Sequence, residues 1–172
     1  CLTKLASHAT TSPKGKFLVE PVNRGWCVKE AASGKILFIR HWFGAPLFSP
    51  DDTFLTLIPH QGSGGKDILV LDPATGKEIQ KLQGHTALLS TGDAFPSAAF
   101  HPTNNLLATA DTKGTVIVWD VKTGKQVQNF KEPHPVSHVA FSRSGKYLAY
   151  AILQHSLKLR TTDTWQEFKS YP

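Results

Sequence analysis

Leu106 to Lys125 reads Leu-Leu-Ala-Thr-Ala-Asp-Thr-Lys-Gly-Thr-Val-Ile-Val-Trp-Asp-Val-Lys-Thr-Gly-Lys. Two short runs of aliphatic and β-branched residues are separated by a Lys113-Gly114 turn. The second run ends in a Trp119-Asp120 pair, and another turn follows at Thr123-Gly124-Lys125. Runs of this length, bounded by turn residues, predict strands joined as hairpins. Working outward, the unit predicts four strands at Ser97–Phe100, Leu106–Ala110, Thr115–Asp120 and Gln126–Phe130. No segment carries the stripe of about 3.6-residue period that marks an amphipathic helix.

The same plan recurs along the chain. A small apolar strand ends in a turn at Thr11-Ser12-Pro13, Phe48-Ser49-Pro50, Phe100-His101-Pro102 and Phe141-Ser142-Arg143. A hydrophobic pair follows each: Phe17-Leu18, Phe54-Leu55, Leu106-Leu107 and Tyr147-Leu148. A Gly-Lys turn comes next at Gly34-Lys35, Gly76-Lys77 and Gly124-Lys125, with Thr162-Asp163-Thr164 in its place at the end. Repetition at roughly 40–50 residues is the mark of stacked units that bury their faces against one another.

The repeat resembles that of the WD-repeat family. The resemblance implies an all-β protein, a β-propeller of about four antiparallel four-stranded blades. These fall at about 1–40, 41–84, 85–131 and 132–172, in a partial ring or one completed by another chain. Trp119-Asp120 is the only Trp-Asp pair, and the matching positions are Lys29-Glu30, Leu71-Asp72 and Arg160-Thr161. Family members often tie a blade together through a buried His, a Ser or Thr, an Asp and the Trp. Gly84-His85, Thr109 and Trp119 match three of the four. Lys113 stands where the Asp belongs, and Asp111, two residues earlier, is expected to face the other way. His85 is therefore expected to lack its carboxylate.

Composition narrows the class. The chain has 172 residues, 40% of them hydrophobic and 19% charged, with no apolar run long enough to cross a bilayer. Two cysteines, Cys1 and Cys27, supply neither a disulfide framework nor a zinc cluster. The net charge of +6 raises nucleic acid as a partner. The basic residues, however, fall largely in turns, as at Lys14, Lys35, Lys77 and Lys125, and not in a stripe interleaved with aromatics. Nucleic acid is accordingly not expected, and an acidic protein partner fits the charge. The chain contains no Met, which suggests that it was processed or cut from something longer. A cytoplasmic location is expected, with lipid attachment through Cys1 as the minor alternative.

No catalytic constellation stands out. Of the eight histidines, His41 and His134 occupy equivalent loop sites, His8 and His138 are likewise equivalent, and His101 fills the Ser slot of a turn. Residues that recur with the repeat read as structural, and no metal ligand spacing supports another role. The Gly-x-Ser-x-Gly elbow is absent. Gln61–Lys66 lacks the spacing and the following helix of a phosphate-cradling loop and reads as a lengthened hairpin connection. No cofactor, no metal and no enzymatic activity are expected.

The informative insertions are Pro59–Lys66 and Gln83–Pro96. In WD-repeat proteins such loops emerge on one face, together here with His41–Gly44 and Lys131–Val136, and insertions of this kind commonly form the binding face. The candidate partner-binding residues are Trp42, Phe43, His60, Gln61, Leu88, Leu89, Phe95 and His134, with His85, Thr109, Trp119 and Asp120 as structural residues. Trp42 and Phe95 alternatively tuck between blades. The expected function is a non-enzymatic protein–protein interaction scaffold. The alternative is a propeller that gates or supports a catalytic domain of a larger enzyme. Its partners would be other proteins, or further blades from the same or another chain. The bare end faces are expected at Phe17, Val19, Trp26 and Val28 in the first blade and at Tyr147, Ala149, Leu157 and Leu159 in the fourth.

Overall fold

Turn chemistry sets the hairpins. Gly34, Gly76 and Gly124 hold φ at 70°, 71° and 74°, a left-handed conformation open to glycine because it has no Cβ. Their N–H groups donate to the carbonyls of Glu30, Asp72 and Asp120 at 2.9, 2.8 and 2.8 Å. In the first turn of three units, the Ser12, Ser49 and Ser142 hydroxyls accept the N–H groups of Phe17, Phe54 and Tyr147 at 3.0, 2.9 and 3.1 Å. His101 does related work in the third unit, where its Nδ1 accepts the N–H of Thr103 at 3.2 Å.

Between these turns the computed structural model describes residues 9–42, 44–59, 66–87, 89 and 97–172. Its strands form four four-stranded antiparallel sheets. Blade one holds β1 (Thr10–Thr11), β2 (Phe17–Val22), β3 (Gly25–Glu30) and β4 (Ile36–Arg40). Blade two holds β5 (Gly44–Phe48), β6 (Leu55–Pro59), β7 (Ile68–Leu71) and β8 (Glu78–Leu82). Blade three holds β9 (Ala98–Phe100), β10 (Leu106–Ala110), β11 (Thr115–Asp120) and β12 (Lys125–Lys131). Blade four holds β13 (Val136–Phe141), β14 (Tyr147–Ile152), β15 (Ser156–Thr161) and β16 (Glu167–Tyr171). Each sheet is a meander in chain order, so the sheets are the blades of a propeller arc, and the arc is not closed.

Register is the same in every blade. The second strand meets the third at Leu18 and Lys29, Leu55 and Leu71, Leu107 and Trp119, and Leu148 and Arg160. A bulge between the third and outer strands falls beside that position each time, at Val28/Lys29, Val70/Leu71, Val118/Trp119 and Leu159/Arg160.

Because side chains alternate along a strand, each sheet has two faces with different neighbours. In blade three, Leu107, Ile117 and Trp119 pack with Phe54, Ile58, Ile68, Val70 and Leu82 of blade two. Ala108, Ala110, Val116 and Val118 pack with Leu148, Tyr150 and Ile152 of blade four. Blade one reverses the expectation for its end face. Val19 and Val28 are fully buried and pack with Phe48, Leu55, Leu57 and Leu71 of blade two. The register explains this: Leu18 and Lys29 sit where Leu107 and Trp119 sit, on the side turned towards a preceding blade. The face of blade one with no sheet against it among the described residues therefore carries Leu18, Glu20, Cys27 and Lys29. The corresponding face of blade four carries Tyr147, Ala149, Leu157 and Leu159, with Leu157 40% and Phe168 61% exposed.

Polar clasps join blades at the turn end. Asp52, at φ 61°, stands in the turn where blades one and four have Gly15 and Gly145. Its carboxylate accepts the Ser12 hydroxyl at 2.5 Å and the Lys14 N–H at 3.1 Å, tying blade two to blade one. Between blades three and four, His101 Nε2 donates to the Gly145 carbonyl at 3.0 Å. Burial lowers the His101 pKa, which favours the neutral ring this pattern uses.

Candidate functional site

At the other end of the strands lie the turns between second and third strands and the connections from one blade to the next. The antiparallel order puts both kinds of segment on one rim. The rim is anchored between blades two and three by four buried side chains. Trp119 Nε1 donates to Thr109 Oγ1 at 2.7 Å, Thr109 Oγ1 lies 2.8 Å from His85 Nε2, and His85 Nδ1 lies 3.0 Å from Asp111 Oδ2. With the proton on Nδ1, all three bonds run in one direction, from indole to hydroxyl to imidazole to carboxylate. The other oxygen of Asp111 accepts the N–H groups of Thr115 and Lys113 at 2.9 and 3.0 Å. Burial opposes the charge of Asp111, but these hydrogen bonds outweigh it and bring the pKa down to about 2.

His85 therefore has its carboxylate, contrary to the sequence expectation. Side chains two residues apart in a strand point the same way, so Asp111 follows Thr109 towards blade two. The turn is longer, with Thr112, Lys113 and Gly114 inside it, and the Asp111 N–H closes it on the Thr115 carbonyl at 2.9 Å. The hydroxyl–imidazole–carboxylate order is that of a nucleophile with its base. Here Thr109 is fully buried and its oxygen already accepts the indole N–H, so no substrate atom can approach it. Asp120, outside the set, caps the next turn by accepting the N–H groups of Lys122 and Thr123 at 2.9 and 3.1 Å.

Blade four fills the equivalent positions with charge. Tyr150 stands at the Thr109 position and Arg160 at that of Trp119. Glu132 reaches in from the connection before the blade. It accepts the Tyr150 hydroxyl at 2.7 Å and Lys158 Nζ at 2.9 Å, and Arg160 Nε donates to the Tyr150 oxygen at 2.9 Å. The guanidinium lies 4.2 Å from the centroid of the Phe130 ring, a cation–π contact. Sequence reading missed this network. Its signal was Arg160 itself, since a cation at a slot that elsewhere holds a buried Trp requires a buried anion nearby.

The candidate partner-binding residues separate into groups. Phe43, His60, Gln61, Leu88 and Phe95 lie outside the described residues. Leu89 is 1% exposed and packs with Trp119, Leu107 and Leu82, so it is a core residue between blades two and three, not a surface anchor. Trp42 is half-buried against the core between blades one and two, and its Nε1 is buried with no hydrogen-bond partner among the described residues. His134 is exposed on the rim, its ring centroid 5.2 Å from that of His155. Lys113 and Lys131 lie beside it, as do Leu153 and His155, which sequence reading passed over. The Lys131 ammonium donates to the Lys113 carbonyl at 2.9 Å, and the Leu153 N–H to the Pro135 carbonyl at 2.8 Å.

Among the described residues, no group of three or more His, Cys, Asp or Glu side chains is placed to hold a metal ion, and no helix is long and apolar enough to cross a membrane.

Residues 76–120 match the family described as WD domain, G-beta repeat. The matched stretch holds the outer strand of blade two and the three inner strands of blade three, ending at the Trp119-Asp120 pair. The match identifies a WD repeat at these residues, and the four four-stranded sheets are laid out as the blades of a WD-repeat β-propeller. Pre-mRNA-processing factor 19 of Oryza sativa subsp. japonica is 43% identical over 63 residues, 36% of this chain and 12% of that protein. The U3 small nucleolar RNA-associated protein 21 homolog of Schizosaccharomyces pombe is 32% identical over 82 residues, 48% of this chain and 8% of that protein. Eukaryotic translation initiation factor 3 subunit I of Bombyx mori is 27% identical over 109 residues, 61% of this chain and 32% of that protein. The chain thus spans about a third or less of the length of these relatives.

Proposed function

We propose that this propeller region is a non-enzymatic protein-binding platform whose contact surface is the loop rim. The observation that carries the reading is the rim's bracing. The buried set of His85, Asp111, Thr109 and Trp119 holds one connection and one turn, and the Glu132 network holds the next. Fixed backbone with exposed tips is what a recognition surface needs, because little freedom is lost when a partner docks. The name of one relative points the same way: it is a subunit of an initiation factor. Trp42 and His134 remain in the proposed surface, joined by Lys113, Lys131 and His155, whereas Leu89 leaves it.

Lysine crosslinking of the full-length protein purified with its native partners tests the reading. Lys66, Lys113 and Lys131 lie at the rim, and Lys14, Lys77, Lys125 and Lys146 lie at the opposite turns. Crosslinks to partner proteins should concentrate on the first group. Crosslinks confined to the second group would overturn the proposal.

A further inference from the structure

The two ends of the propeller arc carry their charge differently. At the turn end, cations share their turns with carboxylates: Lys35 with Glu30, Lys77 with Asp72, and Lys125 with Asp120. At the rim of blades three and four the described carboxylates are withdrawn. Asp111 is buried on His85, and Glu132 is buried on Tyr150 and Lys158. Lys113, Lys131, His134 and His155 remain exposed, with no acidic partner among the described residues. Leu153, 43% exposed, supplies an apolar spot beside them.

These groups form one braced patch. The Glu132 N–H donates to the Gly114 carbonyl at 2.8 Å, and Lys131 Nζ also reaches Thr115 Oγ1 at 2.8 Å. A Cβ on Gly114 would lie 2.3 Å from the Glu132 carbonyl and 2.5 Å from that of His134. Turn and connection are therefore pressed together, and only glycine fits between them. Resting on the platform reading above, we propose that this patch receives an acidic, extended segment of a protein partner, with an apolar side chain of that segment against Leu153. The cations supply complementarity and steering, and the glycine-locked backbone keeps them in place. A nucleic acid is the weaker match, because among the described residues the patch presents no exposed Phe, Tyr or Trp on which bases would stack.

The test is fluorescence anisotropy with the full chain and a labelled synthetic peptide of alternating Glu and Asp around a single Leu. A Gln/Ser peptide of equal length serves as control, and an RNA oligonucleotide of equal charge as competitor. The acidic peptide should bind, the control should not, and raising the salt should weaken binding. Lys113→Glu should weaken it by about ten-fold or more, Lys113→Arg should restore it, and Lys77→Glu at the turn end should change it by less than about two-fold. Lys131→Gln is the second variant, and thermal melting of each confirms a folded chain. Equal loss with Lys77→Glu would show unspecific attraction and overturn the proposal. So would oligonucleotide binding that is tighter than the peptide's and lost with Lys113→Glu. If native partners crosslink at the rim while the acidic peptide does not bind, the acidic class fails and the platform stands. If the peptide binds as expected but native crosslinks map to the turn end, the platform reading fails.

Discussion

In blade three, Thr109 and Trp119 face blade two through one neutral hydrogen bond of 2.7 Å, and the nearby charge is confined to Asp111, which His85 screens. In blade four the same two register positions hold Tyr150 and Arg160, and the face turned towards blade three contains a carboxylate, a guanidinium and an ammonium. Blade two needs neither solution: Leu57 and Leu71 fill its slots and are buried. The slot therefore does not demand particular chemistry. It demands that a buried polar group there have all its partners, because an unpaired one costs far more than a paired one contributes. A chain of bonds with one buried charge at its end tolerates removal of a polar link better than a network of three charges does, and that difference can be measured.

The largest effect is expected at Trp119, which is 1% exposed. Trp119→Ala should destabilise by about 3–5 kcal/mol through the cavity and the loss of the donor to Thr109 Oγ1. A loss below about 1 kcal/mol in denaturant unfolding would mean that the blade two–three core collapses around the gap. Next comes Glu132→Ala, which takes the buried carboxylate from Tyr150 and Lys158 and leaves Lys158 and Arg160 only the more exposed Glu167, at 3.4 and 3.8 Å. About 2–4 kcal/mol should be lost, and added salt should recover part of it. Salt independence would show that Lys158, 22% exposed at its side chain, simply turns to water.

Acid separates the two blades further. With the Asp111 pKa lowered from 3.8 to about 2, its contribution is complete above about pH 4 and disappears as pH falls through about 2. Wild-type stability should drop across that window, and Asp111→Asn should flatten the drop; an unchanged slope would show that other carboxylates govern it. Tyr150→Phe removes one hydroxyl from the blade-four network and should cost about 1–2 kcal/mol, read by thermal melting. The smallest effect is expected at Trp165, which holds φ 60° where the other blades have glycine. Trp165→Gly relieves that backbone, worth about 1 kcal/mol, but removes a ring 6.4 Å from that of Phe130. The melting temperature should barely move.

The third blade's strands were legible almost to the residue, because β-branched runs and Gly-Lys turns are local signals. Leu106–Ala110 and Thr115–Asp120 coincide with β10 and β11, and the outer strand extends by one residue at each end. Pairing across blades was less legible. Val19 and Val28 were placed on the wrong side because alternation defines two faces without saying which one meets the next blade; the shared register with Trp119 decides it. Asp111 was misjudged because a two-residue offset preserves the face that it was thought to change. Leu89 resembled an interface anchor because a Leu in a long connection gives no sign that its own side chain is buried against the core. Glu132 was invisible from spacing, since its partners come from two strands of the following sheet.

Cys27 turns blade one into its own reporter. It lies in the interior of β3, 3% exposed and with a free thiol, and burial, only partly offset by Lys29, raises its pKa. Both properties suppress thiolate chemistry, so an alkylating reagent should modify it only while the strand pair is parted. The rate at which that single peptide gains mass then counts openings of the first sheet, a clock that runs faster whenever the blade is left uncovered and slower once something seats against it.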